Sequence, residues 1–127
     1  MTEQSARERF DAEMARTAYK KKAVSRAPMR EVFAFAKEWF SARGYKVLPS
    51  GRPNQIYIMG GAEGALPRVN GDILAIENVG KGKVTMLTFD SVGESLSARM
   101  AEFVTELRAQ AKAARREPTK EEEAASG

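Results

Sequence analysis

DILAIENVGKGKVTMLTFD, residues 72–90, is the stretch on which the fold turns. Two β-rich runs are separated by Gly80, Lys81 and Gly82, and so short a turn folds its flanking strands back as an antiparallel pair. In the second run Leu87 and Phe89 fall on one face and Val84, Met86 and Thr88 on the other, the two-residue period of a strand. In the first run Ile73, Leu74, Ala75 and Ile76 follow without alternation, which predicts a central strand covered on both faces. Asn70-Gly71 ahead of it is turn chemistry, so Asp72 reads either as a turn acid or as a site residue. Asp90 reads either as a strand-end acid or as a second site residue.

Upstream, Gln55–Met59 and Tyr45–Leu48 are two more short strands, parted by Pro49, Ser50, Gly51, Arg52 and Pro53. Gly60, Gly61 and Gly64 supply a flexible turn. Pro28 to Arg43 predicts an amphipathic helix. Proline suits a first turn, Val32, Phe35, Ala36, Trp39 and Phe40 form its apolar face with Phe33 at the margin, and Gly44 stops it. Downstream, Leu96, Met100, Phe103, Val104, Leu107 and Ala111 follow the 3.6-residue period. Ser91 with Glu94, or Ser97, is the expected cap. Phe10, Met14 and Ala18 make a thinner stripe that predicts a peripheral helix over 5–23.

The expected class is therefore α+β (α/β-like). Its core is helix-β-β-β-helix, a small mixed or antiparallel sheet flanked by helices, with an extra N-terminal helix. Residues 1–27 read as a basic helical arm, 28–114 as the core domain and 115–127 as a disordered acidic tail.

The 127 residues contain no cysteine and no histidine. That excludes disulfides, thiol nucleophiles, imidazole acid–base catalysis and Cys- or His-ligated metals, and leaves oxygen-ligated Mg²⁺, Mn²⁺ or Ca²⁺ as the metals to consider, with no cofactor as the expectation. No run approaches the ~20 apolar residues of a membrane span, and Met1 to Phe10 is polar, so a cytoplasmic protein with no membrane partner is expected. The net charge is +4, and it is uneven. Residues 1–50 carry eleven Lys and Arg against six Asp and Glu, whereas 51–91 balance at four and four.

Several pieces together resemble the PD-(D/E)xK, restriction-endonuclease-like nuclease core, and in layout the Holliday-junction resolvases and virus-type replication-repair nucleases. REVFAFAKEWFSARG leads into YKVL. A loop with GRP and GG follows, then NGDILAIENV, KVTMLTFDS and the helix SLSARMAEFVTEL. In such nucleases an acid on the first hairpin strand and an acid-x-Lys triplet on the second bind Mg²⁺ and activate water. The resemblance puts Asp72 at the first position and Thr88, Phe89 and Asp90 at the triplet, so that a threonine replaces the acid and an aspartate the lysine. At ~4 Å and an effective dielectric of about 20 a unit charge pair is worth roughly 4 kcal/mol, so exchanging a cation for an anion beside a phosphate is a large change.

The expectation is a non-catalytic pseudoenzyme that binds nucleic acid, DNA foremost. Lys20, Lys21, Lys22, Arg26, Arg30, Arg52 and Arg68 would hold the phosphate backbone, with Asp72, Thr88, Asp90 and Glu31 as vestiges of a catalytic site. One alternative is a protein–protein module, an accessory subunit or a phage- or mobile-element-encoded inhibitor of a defence or replication enzyme. The other is a Mg²⁺- or Mn²⁺-dependent nuclease that uses Asp72 and Asp90. Tyr57 and Phe89 are either base-stacking or core residues. The element order also resembles double-stranded-RNA-binding domains, but the second helix begins Gly93-Glu94-Ser95-Leu96 rather than with a lysine cluster.

Overall fold

The computed structural model describes residues 3–116. In chain order the elements are α1 (Glu3–Thr17), β1 (Tyr19–Ser25), α2 (Met29–Ser41), β2 (Lys46–Pro49), β3 (Gln55–Met59), β4 (Asn70–Val79), β5 (Val84–Val92) and α3 (Glu94–Arg116). The five strands form one sheet in the order β1-β5-β4-β3-β2, with every neighbouring pair antiparallel. The fold is α+β, with the helices flanking that sheet.

Alternation along the strands divides the sheet into two unlike faces. Ala23, Ile58, Ile73, Ala75, Leu87 and Phe89 point to one side and are buried there with Val32, Ala36 and Phe40 of α2 and Leu96, Met100, Phe103 and Val104 of α3. Phe103 is the hub of this layer. Its ring centroid lies 5.3 Å from Phe35, 5.3 Å from Trp39, 5.2 Å from Phe40 and 6.1 Å from Phe89, which locks both helices and β5 together. The periodicities of residues 28–43, 84–90 and 96–111 thus select the buried sides as expected. Among the described residues no helix lies across the centre of the opposite face. That face leaves Val24, Leu48, Tyr57 and Ile76 as the exposed large hydrophobic side chains.

Four expectations are corrected. The helix over 5–23 stops at Thr17, and Tyr19–Ser25 pairs along its whole length with β5, from Tyr19 opposite Ser91 to Ser25 opposite Thr85. Lysine and alanine favour helix locally, but seven residues of ladder plus the burial of Ala23 outweigh that preference. Residues 19–25 are therefore part of the sheet rather than of a separate arm. Secondly, β4 is not covered on both faces. Ile73 and Ala75 are buried while Ile76 is 54% exposed.

Thirdly, Asn70 and Gly71 form no turn, since they pair within β4 opposite Val92 and Ser91. Glycine is needed there for close approach, because a Cβ would sit 2.5 Å from the Asp90 carbonyl oxygen. Finally, distant acids tie down the helix N-termini. The backbone N–H of Ser95 donates to Glu63 Oε1 at 3.1 Å and that of Met29 to Glu77 Oε2 at 3.0 Å, while Ser91 and Ser97 bond each other. The acidic tail expected over 115–127 lies outside the described residues beyond Arg116.

Candidate functional site

The antiparallel register places the side chains of the open face in rows that run across the strands. One row reads Lys20, Asp90, Asp72, Tyr57 and Leu48 from β1 to β2. The next reads Lys22, Thr88, Leu74 and Gln55, and the third Val24, Met86 and Ile76. Four of the predicted residues, Asp72, Thr88, Asp90 and Lys20, are thereby brought together, with Lys22 beside Thr88.

Around the first row lies a shallow depression of about 270 Å³ lined by Lys20, Asn70, Asp72 and Asp90. Lys20 Nζ stands 4.0 Å from Asp90 Oδ1, with both side chains well exposed, so the pair contributes little energy. Asp72 accepts a hydrogen bond from Gln55 Nε2 at 2.9 Å. Each carboxylate thus already has a partner, and among the described residues no group of three acids could hold a metal ion.

Glu31 is not part of this arrangement. It lies in the first turn of α2, the helix on the opposite face of the sheet, where an acid suits the positive end of the helix dipole. Lys21 points to the helix side of β1, opposite Phe89, and remains exposed at the sheet edge. Phe89 is wholly buried and is a core residue, whereas Tyr57 is 41% exposed on the open face.

The basic residues sort by the ends of the sheet. Arg26 follows β1 and Arg30 lies in the first turn of α2. Arg52 is in the β2–β3 loop, and Lys81 and Lys83 are in the β4–β5 turn. All five sit at the end where β4 finishes. Thr85 Oγ1 donates to the Ala27 carbonyl there, and Asn54 Nδ2 donates to that of Ala75, fixing the segments beside one another. Among the described residues the ion pairs are Arg16 with Glu13 and Glu94, Lys20 with Asp90, and Arg99 with Glu102. The five cations therefore face solvent without a carboxylate partner, and Glu31 and Glu77 are the acids nearby.

Arg68 lies in the β3–β4 loop at the opposite end of β3, against Met59 and in a depression it shares with Lys46. The structure thus separates Arg68 from Arg52. Lys81 and Lys83 went unread in the sequence, because a hairpin-turn lysine becomes informative only once the turn is known to lie beside Arg26.

At the other end, α1 and the start of α3 meet through Thr17. Its Oγ1 accepts from Gly93 N–H at 2.8 Å and donates to the Glu13 carbonyl at 2.7 Å. Hydrogen bonding from Ser95 holds the Glu63 carboxyl below the usual glutamate range, with burial opposing the shift.

No family model matches this chain, and no curated protein matches it. Among solved structures it is similar to DR_A0006 from Deinococcus radiodurans, a structural-genomics target. The identity is 10%, over 76% of this chain and 99% of that one, with a TM-score of 0.43. No helix among the described residues is long and apolar enough to cross a membrane.

Proposed function

We propose that this chain is a non-catalytic nucleic-acid-binding protein, DNA being its expected ligand, built on a core that resembles a degenerate PD-(D/E)xK nuclease. The observation that carries the reading is the gathering of Arg26, Arg30, Arg52, Lys81 and Lys83 from four separate segments at one end of the sheet, none of them in an ion pair among the described residues. Unpaired cations on one surface are what a phosphate backbone selects, and arginine in particular grips phosphate with two parallel N–H donors. The resemblance gains support from Asp72 and Asp90 standing opposite each other on adjacent strands. The expected lack of catalysis rests on the triplet Thr88, Phe89 and Asp90, which itself carries neither the acid nor the lysine of the nuclease pattern. A cytoplasmic setting goes with this reading.

A salt-titrated binding assay on duplex, branched and single-stranded DNA and RNA, with and without Mn²⁺, tests it. If all five cations meet phosphates on duplex DNA, log affinity falls with log salt at a slope of about −4.5, roughly 500-fold between 50 and 200 mM. Arg26→Glu with Lys83→Glu lowers affinity, whereas Lys46→Glu with Arg68→Glu at the far end leaves it nearly unchanged. Affinity that holds at high salt would overturn the reading, and Mn²⁺-dependent cleavage abolished by Asp72→Ala would replace it with the nuclease.

A second reading, a protein–protein module, is favoured by a different observation. Val24, Leu48, Tyr57 and Ile76, the large hydrophobic side chains left exposed, all lie on the open face.

A further inference from the structure

We propose that the corner of the open face formed by β2, β3 and the β3–β4 loop is a site for an unpaired nucleotide, with the base against Tyr57 and the phosphate on Lys46 and Arg68. This is a second site, at the opposite end of the sheet from the five gathered cations. It goes beyond the duplex-backbone reading and does not depend on it.

The strand register puts the parts side by side. Lys46, Met59 and Asn70 form one row of the open face, and Leu48, Tyr57 and Asp72 form the next. Partners within a row have Cβ atoms ~4.5–5.5 Å apart, and the two rows lie about 6.7 Å apart along the strands. Tyr57 and Leu48 are each 41% exposed, so an aromatic ring and an aliphatic side chain stand bare beside each other. Next to them is a depression of about 440 Å³ whose lining includes Lys46, Leu48, Met59, Gly61 and Arg68. The outer strand of the sheet on this side is β2, so the depression opens at the sheet edge. A Cβ on Gly61 would meet nothing within 4 Å, which leaves bare backbone for a ligand to approach.

Charge gives the site its polarity. Lys46 and Arg68 are exposed, and neither is in an ion pair among the described residues. The described residues that line the depression include no acid. Arg68 Nη1 lies 4.0 Å from Met59 Sδ, which places the guanidinium beside the depression. On the other side of Tyr57 in its row stands Asp72, bound by Gln55 Nε2. An anion is therefore drawn to the Lys46 side of the ring and repelled from the Asp72 side.

An exposed ring with cations on one flank suits an unpaired nucleotide, because every base has a π-face and carries a phosphate close by. Bases paired inside a duplex are already stacked and do not reach Tyr57, so duplex held at the basic end is indifferent to this corner. A free nucleotide and a single strand offer the same chemistry.

Amide NMR titrations of the full chain with adenosine monophosphate, adenosine, inorganic phosphate and a short oligodeoxyadenylate test this. Far-UV circular dichroism checks that each variant is folded. Adenosine monophosphate shifts the amides of Leu48, Tyr57, Met59 and Gly61, and binds more tightly than adenosine or inorganic phosphate. Tyr57→Ala lowers its affinity about 5- to 150-fold, whereas Tyr57→Phe stays within about twofold of the wild type. Lys46→Ala and Arg68→Ala each lower it about threefold. Tighter binding of the oligonucleotide at the same amides supports the site with a single strand as the source, and equal affinity supports it with the free nucleotide. The proposal is overturned if neither probe moves those amides, if inorganic phosphate binds as tightly as adenosine monophosphate, or if Tyr57→Ala binds like the wild type. Duplex binding that survives in Tyr57→Ala separates the fate of this site from that of the basic end.

Discussion

Asp72 and Asp90 are direct register partners across β4 and β5, two carboxylates facing each other in the middle of an open antiparallel sheet. Like charges in directly opposed positions destabilise a sheet. Lys20 lies 4.0 Å from Asp90, while Asp72 has only the amide of Gln55. Asp72→Asn keeps that hydrogen-bond geometry and removes the repulsion. It should stabilise the fold by ~0.2–1 kcal/mol in urea denaturation. Asp90→Asn should gain less, because it also discards the Lys20 partner. A loss of stability from Asp72→Asn would mean that this carboxylate serves the fold.

Thr17 ties the end of α1 to the β5–α3 junction through one hydroxyl. It is 5% exposed, accepts from Gly93 N–H and donates to the Glu13 carbonyl. Thr17→Val keeps the shape and leaves the Gly93 donor buried without a partner. The expected cost is about 1–3 kcal/mol, with Thr17→Ser recovering most of it. Equal stability of the valine and serine variants in chemical denaturation would show that Gly93 finds another acceptor.

Glu63 gives the fold an acid-sensitive contact at the start of α3. Its carboxyl is held below the usual glutamate range by hydrogen bonding from Ser95, so the folded state favours the charged form. A group whose folded pKa is depressed contributes stability that is fully present above its unfolded value and is lost as pH falls through the folded one. Melting temperature should therefore decline on acidification below the ordinary glutamate range. Glu63→Gln should flatten that part of the profile and cost ~0.5–1 kcal/mol at neutral pH, the scale of a helix cap. A profile with the same slope in the variant would assign the acid sensitivity elsewhere.

Much of the architecture was legible from local pattern. The glycine turn at 80–82 announced the β4–β5 hairpin, and the alternation of Leu87 and Phe89 with Met86 and Thr88 set its faces. The 3.6-residue stripes of α2 and α3 marked the side chains that meet around Phe103. These are short-range signals, because a turn residue or a buried stripe leaves its mark within a few positions of the chain. Pairing Asp72 with Asp90 needed nothing beyond the hairpin.

What local pattern could not carry was every property that depends on a distant segment. Lys20, Lys21 and Lys22 read as the end of a helix, since nothing nearby reveals that β5 has a free edge to receive them. Ile73 to Ile76 looked like a fully covered strand, yet whether a second layer covers a sheet depends on how many helices the chain has to spend and on which side they pack. Both amphipathic helices pack on one face, where their aromatic rings meet around Phe103 above Phe89. Strand pairing brought Arg26, Arg52, Lys81 and Lys83 to one end, and the docking of the helices added Arg30 there and put Glu63 and Glu77 at the starts of helices far away in sequence.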